Sequence, residues 1–134
     1  MADPFKFELV SPERLLMSTQ VEQVVVPGSE GYFTVLKGHA PYMSTLRPGV
    51  VELIHAGETE RIFVRGGFAD VNASGLTVLA EQAIPLAEVD PDWLEQEIRN
   101  AEEDVADATD GAIRDLAEMR LSQLREVHTA LVAR

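Results

Sequence analysis

The sequence predicts a chain in two parts: a mainly β N-terminal region, folded as an antiparallel sandwich or barrel, and a C-terminal hairpin of two α-helices. Three observations carry this. Up to about residue 88, short apolar runs alternate with turn-forming clusters; from Val89 the apolar period lengthens to that of a helix; and an Asp-Pro pair stands where the period changes. No helix-length insert separates the strands, so no parallel crossover unit is expected.

The first strand is FKFEL, where Phe5, Phe7 and Leu9 alternate with Lys6 and Glu8, the pattern of a strand with one buried face. QVEQVVV, YFTVL, YMSTL, VVELIH, TERIFVR, FADV and LTVLAE follow, parted by PGSEG, KGHAP, RPG, AGE, GG and ASG. Each divider supplies glycine, alone or with proline or serine, for a turn. Gly66 and Gly67 allow a bend or bulge between two of these strands. Beyond the linker candidate, Ala87 to Asp90, Asp90 is predicted to cap a helix that starts at Pro91, with Val89 and Leu94 as a hydrophobic staple. Leu94, Ile98, Ala101, Val105 and Ala108 then form one apolar stripe, and Trp93 is expected to anchor the packing beneath it. TDG at 109 to 111 breaks the pattern before Ile113, Ala117, Leu124, Val127 and Leu131 resume it, with Arg120 interrupting this second stripe. The domains expected are residues 1–88 and residues 89–134.

At 134 residues, 46% of them hydrophobic and 25% charged, the chain has ordinary globular composition and enough length for a real core. It has no cysteine, so disulfides and thiolate metal sites are excluded. Asp3, Glu8 and Glu13 interrupt the first twenty residues, and no eighteen apolar residues run together. A soluble, cytosolic chain without direct membrane insertion is expected, free to dock on a membrane complex. A net charge of −12 disfavours nucleic acid and anionic lipid as direct partners and leaves basic protein surfaces open.

The chemistry sought in the motifs is mostly missing. GxxxxGK[ST], GxGxxG, GxSxG and HExxH do not occur, which weakens an enzyme reading. DATDG at 107 to 111 resembles part of a calcium loop, but Ala106, Ala108 and Ala117 stand where its acidic ligands belong. His39, His55 and His128 lie on a turn, a strand and a late helix with no partner at helical spacing, so no metal site is expected. His39 leaves a choice between a catalyst or ligand and a loop residue that touches another protein.

VSPERLL at 10–16, VVVPGSEG at 24–31, GHAP at 38–41, LRPGVV at 46–51, GGFADV at 66–71 and TVLAEQAI at 77–84 together, in this order and spacing, resemble the epsilon-subunit family of bacterial F-type ATP synthases. The resemblance implies a sandwich of about ten strands, no catalytic residues and no cofactor. It implies a rotor component bound to the gamma subunit, seated on the ring of c subunits and peripheral to the cytoplasmic face of the inner membrane. The hairpin would lie on the sandwich or extend toward the catalytic alpha and beta subunits, restraining ATP hydrolysis. Ser29, Glu30, Gly31, Tyr32 and His39 become contacts to the c-ring, with Lys37 replacing a proline common in the family. Family members that sense ATP carry an arginine at the start of the hairpin; here Asp90 is kept and Trp93 takes the arginine's place, so no nucleotide-binding residue is assigned. Two other readings stay open: an ATP-sensing regulatory module, and a free-standing small enzyme or ligand-binding sandwich that uses His39.

Charge divides the hairpin. Residues 89–110 hold nine acids and one arginine, a net of −8, whereas residues 111–134 hold four arginines against Asp115, Glu118 and Glu126, a net of +1. The second helix is thus the expected source of cations for an acidic partner. Arg114, Arg120 and Arg125 are its candidates, with Arg114 and Arg125 placed opposite the apolar stripe.

Overall fold

The computed structural model describes residues 3–133. It contains eight strands: β1 Phe5–Val10, β2 Leu15–Val21, β3 Gln23–Gly28, β4 Gly31–Val35, β5 Tyr42–Thr45, β6 Gly49–His55, β7 Glu58–Asn72 and β8 Gly75–Pro85. A short turn of 3-10 helix, Leu86–Glu88, leads to α1 Pro91–Asp107 and α2 Gly111–Ala133. The strands run in the order β2-β1-β8-β7-β6-β3-β4, with β5 also paired to β7.

The count of eight corrects the expected ten, and the difference lies in Gly66 and Gly67. TERIFVR and FADV are one continuous strand that bends at these two glycines, where φ is +72° and +105°. Pairing with β8 keeps the same register on both sides of the bend, from Ile62↔Pro85 to Asn72↔Gly75. The feature is therefore a bend without an inserted residue. A Cβ on Gly67 would lie 1.8 Å from the carbonyl oxygen of Leu79, so glycine alone lets the two backbones meet here. Through the bend, β7 and β8 each serve both layers: their first or last halves join β6, β3 and β4 on one side, and β5, β1 and β2 on the other. Counting each of these two strands twice turns eight strands into ten segments.

Two further differences concern β2 and the strand directions. β2 lies at the edge of the sheet, and its Ser18-Thr19-Gln20 hides the alternation that marks the inner strands. β1 pairs with β8 in parallel, Lys6↔Gly75 to Val10↔Leu79, so the sandwich is not wholly antiparallel.

Phe7, Val24, Val26, Val35, Val51, Leu53, Val64 and Val78 are fully buried between the layers. A second core forms on the outer face of β6 and β7. There Val50 and Phe63 meet Leu86 of the connecting turn and Val89, Leu94, Ala101, Leu121, Leu124, Val127 and Leu131 of the hairpin. The neighbours of Phe63 in sequence, Ile62 and Val64, point into the sandwich, so strand alternation serves both cores at once. Asp90 caps α1 as expected, accepting from the Asp92 N–H at 2.9 Å with Pro91 as the first helical residue. Asp110 does the same for α2, accepting from the N–H groups of Ala112 at 2.8 Å and Ile113 at 3.3 Å. The α2 stripe differs at one end: Ile113 is exposed and Leu121 is buried. The second half of α2 covers the sheet, while Ile113, Leu116 and Met119 face outward near the interhelical turn.

Candidate functional site

The tip of the sandwich is built from the turn between β3 and β4 and from the loop that leads into β5. Ser29 and Glu30 form the two exposed residues of the turn, closed by the Gly28↔Gly31 pair, with Gly31 at φ +130°. The Ser29 N–H donates to the Thr45 carbonyl at 2.9 Å, which ties this turn to the end of β5. In the second loop Gly38 takes φ +85°, and the His39 N–H donates to the Leu36 carbonyl at 3.1 Å. The His39 ring lies with Nδ1 2.7 Å from its neighbour Ala40's carbonyl oxygen, so Nδ1 donates and Nε2 is left as the free nitrogen.

These two loops converge. Glu30, Gly31, Tyr32 and His39 line one shallow depression of about 340 Å³, together with Phe33 and Tyr42. Phe33 and Tyr42 meet edge to face, with ring centroids 5.1 Å apart. The structure therefore brings four of the five predicted tip contacts around one surface feature, with Ser29 at its margin. Tyr42 extends it, the exposed Met43 stands beside Tyr42 on β5, and sequence reading missed both. Their signal was the odd composition of YMST, where large apolar side chains stand on a strand whose buried member is Ser44. Lys37 is exposed on the same loop as His39.

The hairpin carries the other candidates. Arg114 pairs with Glu118 at 3.2 Å one turn further along α2. Arg125 reaches across to Glu102 of α1 at 3.3 Å. It is thus engaged within the hairpin and not freely presented. Arg120, expected as a flaw in the packed stripe, is exposed instead, because Leu121 beside it makes the buried contact. Among the described residues Arg120 has no ion-pair partner; it borders a shallow depression with Asp104, Asp107, Ile113, Leu116 and Ala117. Trp93 packs edge-on to Phe63, centroids 6.2 Å apart, which fills the arginine's position with an apolar anchor. Among the described residues two ion pairs cross from sandwich to hairpin: Arg47 with Glu126 at 3.0 Å, and Arg65 with Glu97 at 3.7 Å.

The tip is thus a shallow face of aromatic rings from β4 and β5 with one carboxylate and one imidazole from the adjoining loops. Residues 4–86 match the family described as ATP synthase, Delta/Epsilon chain, beta-sandwich domain. An ATP synthase epsilon chain from Parvibaculum lavamentivorans is 54% identical over 131 residues, covering 96% of this chain and 99% of that protein. One from Mesorhizobium japonicum is 53% identical, with 98% of each chain covered. A chain in the Euglena gracilis mitochondrial ATP synthase structure of OSCP, F1 and c-ring superposes with a TM-score of 0.81 at 26% identity, covering 96% of this chain and 81% of that one. A chain in the Tetrahymena thermophila mitochondrial central stalk and c-ring structure shares the fold, with a TM-score of 0.74 at 16% identity and 97% and 98% coverage. The chain belongs to the ATP synthase delta/epsilon chain family, and within it to the epsilon chains, which are subunits of the synthase and not its catalytic part.

Proposed function

We propose that this chain is a rotor subunit of the central stalk in a proton-translocating F-type ATP synthase, joining the catalytic head to the c-ring. The sandwich, residues 1–88, binds the gamma subunit and seats its tip on the ring through Ser29, Glu30, Gly31, Tyr32 and His39. The hairpin, residues 89–134, is regulatory and reaches the alpha and beta subunits when it leaves the sandwich, restraining hydrolysis through cations of α2. On this reading the chain lies at the cytoplasmic face of the inner membrane as a peripheral component. No helix among the described residues is long and apolar enough to cross a membrane.

One observation carries the reading: the turn after β3, the strand β4 and the loop before β5 bring Glu30, Tyr32 and His39 around one surface depression. The Euglena gracilis assembly that contains the similar chain includes F1 and the c-ring, which supports association with the ring. The test is capture of tagged chain from detergent-solubilised membranes, with gamma and c subunits expected alongside it. Glu30→Arg and His39→Glu should reduce recovery of the c subunits while gamma stays bound. Equal recovery of both partners by the variants would overturn the placement of the tip.

A further inference from the structure

Arg47 stands between the two regions that matter. It follows β5, at the foot of the tip, and its Nη2 donates to Oε2 of Glu126 on α2 at 3.0 Å, across 79 residues of sequence. Its guanidinium carbon lies 5.1 Å from the centre of the Tyr32 ring, within cation-π range. The Tyr32 hydroxyl in turn accepts from the Val50 N–H at 3.3 Å, and the Val50 side chain belongs to the core beneath the hairpin. Tyr32 also lines the tip depression with Glu30 and His39. A continuous chain of contacts therefore joins Glu126 on the hairpin to the tip face.

One detail makes this chain responsive. The Nε of Arg47 is buried with no hydrogen-bond partner. A buried guanidinium nitrogen without a partner is costly, so the side chain keeps its pose because Glu126 and the Tyr32 ring hold it. Withdrawing Glu126 removes the one ion partner that Arg47 has among the described residues and leaves the guanidinium free to turn toward water. The Tyr32 ring then loses the cation that rests on its face.

We propose that Arg47 is a positioning residue that couples hairpin docking to the conformation of the tip, through Glu126 on one side and Tyr32 on the other. Docked, the hairpin holds Arg47 over Tyr32; released, it lets Tyr32 and the tip depression relax. Coupling of this kind is reciprocal, so a partner that grips Tyr32 at the tip also changes the affinity of the hairpin for the sandwich. Its value to the synthase rests on the reading of the tip as ring-facing, but the coupling itself belongs to the isolated chain.

The experiment uses the full-length chain and two readouts. Glu126→Gln keeps the shape and removes the charge. It should raise amide exchange of the buried face of α2, Leu121 to Leu131, by roughly two- to fivefold at low salt, the range expected for a partly exposed pair. The same variant should shift the NMR signals of Tyr32 and Gly31, more than ninety positions away in sequence. High salt should reproduce both changes in the unaltered chain. The exchanged pair Arg47→Glu with Glu126→Arg should recover α2 protection but not the Tyr32 signals, because a carboxylate cannot rest on the ring face. Tyr32 signals that ignore Glu126→Gln, or an exchanged pair no better protected than Arg47→Glu alone, would overturn the proposal. Failure to recover gamma or c subunits from membranes counts against the proposed function and leaves these measurements standing.

Discussion

Replacing Leu124 by alanine tests whether the hairpin is held as a separate layer. Leu124 is fully buried in the core shared by the helices and the outer face of β6 and β7. From the strands, that core takes Val50 and Phe63 as buried members, with Ile84 half-buried beside them, and Leu86 of the connecting turn is buried in it too. Complete burial of such a side chain is worth about 1.5–3 kcal/mol, so the sheet side contributes on the order of 3–6 kcal/mol before any ordering cost. Deleting a buried leucine side chain costs about 2–5 kcal/mol. The two quantities are comparable, and docking should weaken by roughly a hundredfold, since each tenfold is about 1.4 kcal/mol. Trp93, the single tryptophan of the chain, lies against Phe63 and reports docking by its fluorescence. In a denaturant titration of Leu124→Ala, the Trp93 signal should change well before the far-ultraviolet signal of the strands. Val51→Ala, in the core between the layers, should instead shift the strand transition. If both probes move together in both variants, hairpin and sandwich form one cooperative unit and the division near residue 88 is wrong.

Gly67→Ala should lower stability by clearly more than Gly57→Ala in equilibrium denaturation. Both glycines have positive φ, a strain of about 1–2 kcal/mol for alanine, but Gly57 has open space around it and Gly67 faces the Leu79 carbonyl; equal losses would refute the steric account of the bend. The isolated chain should show no saturable binding of ATP in the micromolar range by calorimetry, because Trp93 is packed where a phosphate-pairing cation would stand. Saturable heat that disappears in Arg99→Ala would show another cation at work. In the assembled enzyme, Arg120→Ala should raise ATP hydrolysis by about two- to fivefold at low ionic strength, and Arg125→Ala by less, since Arg125 is already paired with Glu102. An unchanged rate for Arg120→Ala would remove it from the regulatory surface.

The periods of the sequence gave away the elements that have one buried face. FKFEL shows it plainly: Phe5, Phe7 and Leu9 are buried and alternate with Lys6 and Glu8. Asp90-Pro91 was equally legible, because the cap and the first helical residue are local chemistry. What was not legible depends on long-range packing. The edge strand β2 lacks a clean alternation because it has a neighbour on one side alone, and the parallel pairing of β1 with β8 joins segments some seventy residues apart. Gly66-Gly67 looked like the end of a strand because glycine usually ends one. Here it keeps a strand continuous through a bend that side chains would block.

The site divides in the same way. Glu30 and His39 could be named from turn composition and resemblance, since each sits in a local Gly/Pro-rich motif. Arg47 could not: as a residue after a strand, between Leu46 and Pro48, it looks like part of a turn. Its place becomes visible only when Glu126 arrives from the far end of the chain and Tyr32 from β4. Charge counting along the hairpin met the same limit. It identified α2 as the helix with cations, but a count cannot see which of them are spent on neighbours. Arg114 and Arg125, placed on the open face by helical geometry, are met by Glu118 and Glu102, and Arg120, assigned to the packed stripe, is left facing solvent. One acid of α1, Glu102, and one of α2 itself, Glu118, thus decide which arginine of α2 is left without an ion-pair partner among the described residues. The charge that α2 offers to solvent is therefore set by its pairing within the hairpin as much as by its count of arginines.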